Sequence, residues 1–212
     1  MARHPEAGRV KTRLARVIGA DAAAALYRAF ILDLADRLAA LPYAVTWAID
    51  PAGAPFTTLV PHARCRVQQG GDLGERMAGA FAAEFADGGG AVAMIGADVP
   101  HVPAVVFAET AAVLGRDADV VVGPAEDGGY YLVGLTAPAP ALFADVAWST
   151  ADVLATTLAH ARDAGLRTHL LPPTFDVDEP ADIDRLARLI ADGAATLPHT
   201  AAVLATLRRS GS

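Results

Sequence analysis

The stretch that most constrains this chain is A-V-A-M-I-G-A-D-V-P, Ala91 to Pro100. Apolar residues from Ala91 to Gly96 run into one acid, Asp98, and then into a proline. A run this short, bounded by glycine and proline, predicts a strand buried on both faces. Asp98 then falls at or just past the strand's carboxyl end, the edge where open α/β sheets bind ligands. A lone acid there has no polar neighbour in the strand, so it requires water, a donor or a metal. Two readings compete. Asp98 carries a metal ion with a nucleotide diphosphate, or it caps the helix that follows.

A buried strand needs a core around it. The 212 residues are 53% hydrophobic and 19% charged, which predicts one globular domain over 1–212, with 210–212 as a frayed tail. The formal net charge of −7 argues against a general nucleic-acid binder or a binder of anionic membranes. No apolar run approaches the roughly 20 residues of a membrane span, and no signal peptide is visible. Cys65 is the only cysteine. It excludes an internal disulfide and a cysteine-rich zinc site, and it suits a reducing, cytoplasmic location.

Positive charge is concentrated at the amino end, in M-A-R-H-P-E-A-G-R-V-K-T-R-L-A-R. Pro5 and Gly8 mark a turn-rich loop. Arg3, Arg9, Arg13 and Arg16 accompany Lys11, the only lysine in the chain. Backbone N–H groups of a glycine loop can approach phosphate oxygens closely, and the cations neutralise them. The glycine spacing of a P-loop is absent. A solvated basic terminus is the plainer alternative. Loops of this kind follow a buried strand, yet this chain opens at the loop. The first strand is therefore expected to be missing, with Met1 as the last residue of a strand encoded upstream.

Elements alternate from there. A helix is expected over Asp21–Leu41, with Leu26, Phe30, Leu34 and Leu38 on one stripe. Asp21 is its expected cap and Pro42 ends it. Ala44–Ile49 reads as a strand and Arg64–Gln69 as a short strand or extended segment. Gln68–Met77, Q-Q-G-G-D-L-G-E-R-M, precedes a helix to about Phe85; amides and backbone groups at such a start can read a base or ribose edge. Pro103–Leu114 reads as a helix and Asp119–Val122 as a strand. Pro138–Trp148 reads as a surface connection, and Ser149 or Thr150 as the cap of a helix to Ala164. Thr168–Leu171 reads as a strand, Ala181–Ala191 and Pro198–Arg209 as helices. The alternation predicts an α/β/α sandwich with a mostly parallel, mixed sheet.

Two acidic loops complete the inventory. In G-P-A-E-D-G-G-Y-Y-L-V-G-L, Glu126 and Asp127 stand before Gly128 and Gly129, ahead of a strand over Tyr130–Leu135. Paired glycines permit close ligand approach, and the two acids suit a sugar, a hydroxy acid or a metal. An ordinary hairpin is the alternative, since Asp-Gly is also a hairpin signal. In F-D-V-D-E-P, Asp176 and Asp178 alternate and project to the same side if the backbone is extended. Such carboxylates suit Mg²⁺ or Mn²⁺; helix capping before Pro180 is the other reading.

Taken in order, P-E-A-G-R-V-K-T-R-L, G-D-L-G-E-R-M, G-A-D-V-P, the E-D-G-G-Y-Y stretch, W-S-T and D-V-D-E-P-A-D-I resemble the bacterial DUF2064 family. Members of that family are described as glycosyltransferases of the arsenosugar-biosynthesis type, in the nucleotide-diphospho-sugar transferase (GT-A) superfamily. A more distant similarity, through V-K-T-R-L-A and D-V-D, runs to phospholactate guanylyltransferases. The resemblance implies a GT-A-like fold and a catalytic, metal-binding Asp98 at the end of a central strand. It implies Asp176 and Asp178 as further metal ligands, and Lys11 and Arg13 on phosphate. It places Gln69, Asp72 and Gly74 at the base or ribose, and Glu126, Asp127 and Gly128 toward the acceptor or sugar.

The implied cofactor is Mg²⁺ or Mn²⁺. The implied partners are a nucleotide or nucleotide-sugar and a small-molecule acceptor. Glycosyl transfer, nucleotidyl transfer with pyrophosphate release, and nucleotide binding without turnover all fit these residues.

Overall fold

The computed structural model describes residues 1–210. The expected tail, 210–212, falls outside the described residues except for Ser210, which ends the last helix. Two compact units are present. The first comprises Met1–Val67, Ala97–Pro103 and the chain from Val177 onward; the second comprises Gln68–Gly96 and Ala104–Asp176.

The first unit is built on a three-stranded parallel sheet, β1 (Ala2–Arg3), β2 (Thr46–Asp50) and β3 (Arg64–Val67), in that order. Here the structure corrects the sequence reading. Two residues of a first strand are present, Ala2 and Arg3, paired in parallel with Ile49 and Asp50, so the strand runs past Met1, where it was expected to end. The basic loop is also shorter than expected, because Thr12–Ile18 forms a helix, α1, in which only Leu14 is buried. One buried residue makes no stripe, so periodicity could not reveal it.

After Gly19, at φ 89°, α2 (Ala20–Ala39) buries Leu26, Tyr27, Phe30, Ile31 and Leu34. Asp21 does not cap it; Gly19 holds the cap position and Asp21 lies in the first turn, where its charge favours the helix dipole. A short α3 (Phe56–Leu59) follows β2. The carboxyl-terminal part supplies α7 (Pro180–Ala191) and α8 (Pro198–Ser210), with α8 packed on α2.

The second unit holds a four-stranded mixed sheet ordered β4 (Val92–Ile95), β6 (Tyr130–Leu135), β5 (Val120–Pro124), β7 (Thr168–Leu170). β6 runs antiparallel to both neighbours, and β5 and β7 are parallel. The expected α/β class holds, with parallel and antiparallel pairings distributed over two sheets. β4 is an edge strand of its sheet, not central, and is not buried on both faces; Ala93 is exposed. β5 and β6 form an antiparallel hairpin, so the Asp-Gly signal was a turn signal.

Helices α4 (Leu73–Ala86), α5 (Ala104–Val113) and α6 (Val153–Asp163) complete the second unit. Pro138–Trp148 is not a surface connection. It contains a 3-10 turn, Pro140–Phe143, whose Leu142 and Phe143 are buried, and the Phe143 ring stacks on Phe81 of α4 at 5.7 Å. The cap position of α6 is Asp152 rather than Ser149 or Thr150.

Candidate functional site

Asp98 is held by its backbone. Ala97 N donates to the Met1 carbonyl (3.1 Å), and the Asp98 carbonyl accepts from Val177 N (3.0 Å). Ala97 and Val99 on either side are buried, whereas the Asp98 side chain is 42% exposed. Arg37 of α2 donates to the carbonyls of Pro100 (2.8 Å) and Val102 and pins the segment that follows. Asp98 caps no helix: α5 starts six residues later, at Ala104.

The Asp98 carboxylate meets the Lys11 ammonium, which also binds Asp178 Oδ1 at 2.7 Å. Lys11 itself is the cap residue of α1, in the left-handed conformation (φ 47°, ψ 45°). Its side chain is 3% exposed, while those of Asp98 and Asp178 are 42% and 47% exposed. The ammonium lies 5.5 Å from the Tyr27 ring centroid and 5.9 Å from that of Phe30, within cation–π range. Burial alone would lower the Lys11 pKa. The carboxylates of Asp98 and Asp178 more than offset it, and the pKa is raised. Burial, with Asp98 nearby, also pushes the Tyr27 phenol up, so it stays protonated.

The loop that carries Asp178 is fixed by Asp182, whose Oδ2 accepts from Asp178 N (3.1 Å) and Glu179 N (2.7 Å). The Arg13 guanidinium pairs with Glu179 at 3.3 Å, both side chains being well exposed. Lys11, Arg13, Asp98 and Asp178 are thus gathered within the first unit.

Asp176 belongs to the second unit, and among the described residues no group of three or more His, Cys, Asp or Glu side chains is placed to hold a metal ion. Asp98 and Asp178 both belong to the first unit and share one ammonium. A pair is enough for Mg²⁺, which takes one or two carboxylates and completes its shell with waters and substrate phosphates. The two Oδ1 atoms already share one cation, Lys11 Nζ, so they face a common point. The two carboxylates have the oxygen chemistry that suits a divalent ion, and the point they share is taken by the Lys11 ammonium.

The other expected ligand residues lie in the second unit, and several have local work. Asp72 caps α4, its Oδ1 accepting from Glu75 N at 2.8 Å. Glu75 Oε2 accepts from Gly71 N (2.6 Å), and Arg76 Nε donates to the Gly70 carbonyl (3.2 Å). Gly74 is buried, and Gln69 is exposed. Glu126 and Asp127 are exposed in the β5–β6 turn, where Asp127 Oδ1 accepts from Gly129 N at 2.9 Å. Gly128, at φ 90°, is required by that turn.

Residues 32–150 match the model of a family described as an uncharacterized protein conserved in bacteria, DUF2064. The chain belongs to this family. It is also similar, at 36% identity and a TM-score of 0.90, to the crystal structure of a proposed nucleotide-diphospho-sugar transferase from Desulfovibrio desulfuricans G20. The likeness covers 98% of this chain and 94% of that one. Among curated proteins, none matches the sequence. Among the described residues no helix is long and apolar enough to cross a membrane. The match to the Desulfovibrio protein supports a general transferase role.

Proposed function

We propose that the chain is a metal-dependent transferase that moves a glycosyl group from a nucleotide-sugar to a hydroxyl of a small-molecule acceptor. The observation that carries this reading is the Asp98–Lys11–Asp178 cluster, two partly exposed carboxylates sharing one buried ammonium. Its occurrence in a chain so similar to a proposed nucleotide-diphospho-sugar transferase supports the choice of donor.

Asp98 and Asp178 would hold Mg²⁺ or Mn²⁺. When bound, the ion supplies positive charge that stabilises a departing diphosphate. Lys11 and Arg13 add positive charge on the same side of the reaction. Gln69, Asp72 and Gly74 are assigned to the base or ribose, and Glu126, Asp127 and Gly128 to the hydroxyl-bearing partner; Asp176 is the third acid assigned to the metal. In the transfer, the acceptor oxygen bonds to the anomeric carbon. The bond from that carbon to the diphosphate oxygen breaks, and the electron pair leaves with the nucleoside diphosphate. The hydroxyl proton passes to the Glu126 or Asp127 carboxylate acting as general base.

One observation favours a second reading. The only lysine of the chain lies beside the carboxylate pair, where a cation would also stabilise charge on an α-phosphate and on leaving pyrophosphate. That would be nucleotidyl transfer. The products separate the two. Release of a nucleoside diphosphate from nucleotide-sugars is expected; exchange of labelled pyrophosphate into a nucleoside triphosphate, without such release, would replace glycosyl by nucleotidyl transfer. Magnesium-dependent nucleotide binding with neither product would leave a binding module.

A further inference from the structure

Three stretches of the second unit meet the segment that begins at Trp148, two of them at its indole. The first is the start of α4. A Cβ added to Gly74 would strike the Phe143 carbonyl and lie 2.9 Å from Trp148 Nε1, so this buried glycine is where the indole rests on the helix. The second is the β5–β6 turn. A Cβ on Gly128 would lie 2.6 Å from the Ala151 Cα, and the Gly128 carbonyl accepts from Leu154 N at 2.9 Å. The segment from Trp148 to Ala151 is thus fastened to both glycine motifs. The third contribution is Tyr130, whose ring meets the indole edge-on at 6.4 Å and 80°.

The segment is held at a cost. Asp145 (φ 53°) and Ser149 (φ 65°) both take the left-handed conformation without being glycine. Thr150 Oγ1 donates to the Ala147 carbonyl (2.8 Å), and Trp148 N donates to the Val146 carbonyl (2.9 Å). All this fixes an indole that remains partly exposed. Leu73, next to Gly74, is 44% exposed.

We propose that Trp148 is the floor of a subsite for a hydroxylated carbon ring, formed within the second unit. An indole offers a flat apolar surface on which the C–H face of a sugar packs, together with a polar edge. The turn fastened to the same segment carries the exposed Glu126 and Asp127. Carboxylates accept hydrogen bonds from hydroxyls and repel phosphate. The occupant is therefore a neutral polyhydroxylated ring: the glycosyl group of the donor or the ring of a sugar acceptor. The choice of a sugar rests on the transferase reading above.

Trp148 can be followed directly. Acrylamide reaches a partly exposed indole, whereas Trp47 is 6% exposed. Quenching of the unaltered protein is measured with methyl glycosides of glucose, galactose and mannose, with UDP-glucose, GDP-mannose and ADP-glucose, and with the matching nucleoside diphosphates. Saturable protection by a methyl glycoside identifies an acceptor ring. Protection by a nucleotide-sugar beyond that of its nucleoside diphosphate identifies the donor's glycosyl group. In either case Trp148→Ala weakens binding of the protecting ligand about tenfold, while Trp148→Phe, which keeps a ring, retains most of it. If no sugar or nucleotide-sugar protects beyond the nucleoside diphosphate alone, or if Trp148→Ala binds unchanged, the subsite is overturned. Protection by glycosides with no transfer from any donor sinks the transferase reading and leaves the subsite. Transfer with Trp148 unprotected does the reverse.

Discussion

Lys11 can stay charged in a nearly closed pocket because two carboxylates surround its ammonium. Removing that ammonium leaves Asp98 and Asp178 facing each other across the vacated point. Breaking a fully buried pair is severe, but these carboxylates are close to half exposed, which screens their repulsion. Lys11→Met should therefore lower the free energy of unfolding by about 1–3 kcal/mol, read by urea denaturation; an unchanged midpoint would mean that the cluster does not contribute to stability. In the second unit, the pair Asp119–Arg167 makes a pH-dependent prediction. Hydrogen bonds from the Arg167 side chain and backbone hold the Asp119 carboxyl at about 2, below its usual 3.8. A depressed folded pKa stabilises above the unfolded value and loses that stabilisation as pH falls. The difference in melting midpoint between wild type and Asp119→Asn should be constant above about pH 5 and shrink toward pH 2. A difference that grows toward pH 2 would reverse the sign of this account.

At this scale the sequence revealed residue types more readily than partners. Lys11 stood out as the only lysine and Asp98 as a lone acid at a strand end. Their meeting spans 87 positions of chain for Asp98 and 167 for Asp178, and no local pattern encodes it. Trp148 was visible only as part of W-S-T. Its role depends on close approach at Gly74 and Gly128, which a string of letters does not display.

Elements were legible where the pattern was long. The stripe of α2 and the β-branched run of β5 follow from periodicity and propensity. Failures came where a tertiary contact outranked a local signal. Asp21 had the right chemistry for a cap but lies inside the first turn, because the helix begins one residue earlier after Gly19. Asp33, mid-helix in α2, caps a different helix: its carboxylate accepts from His199 N (3.0 Å), Thr200 N (2.8 Å) and Thr200 Oγ1 (2.6 Å) at the start of α8. Asp33 is 3% exposed. Asp33→Ala would strand those donors, and should destabilise by about 2–4 kcal/mol. Equilibrium denaturation checks this; a loss below 0.5 kcal/mol, on the order of an exposed-surface substitution, would show that water replaces the cap.

For the whole molecule, alternating elements foretold an α/β protein, and the order of motifs foretold the family. Both readings agree with the family match and with the Desulfovibrio structure. The strand order within each sheet was less accessible. β4 reads as a buried run yet lies at the edge of its sheet, and β6 reads like its neighbours yet runs antiparallel to them. A short apolar run states that a strand exists, not which partner it takes or in which direction. The chemistry is the least legible level, because phosphate, metal and sugar can each be met by carboxylates, cations and glycines.

The central claim is that the Asp98–Lys11–Asp178 cluster receives the donor's diphosphate. The most direct measurement is release of nucleoside diphosphate from a panel of nucleotide-sugars with Mg²⁺ or Mn²⁺, comparing the unaltered protein with Asp98→Asn. Asp98→Asn keeps the size of the side chain and removes its charge. The account predicts metal-dependent release by the unaltered protein and a loss of about 10²–10³-fold in the variant. Release at the same rate by folded Asp98→Asn would contradict it.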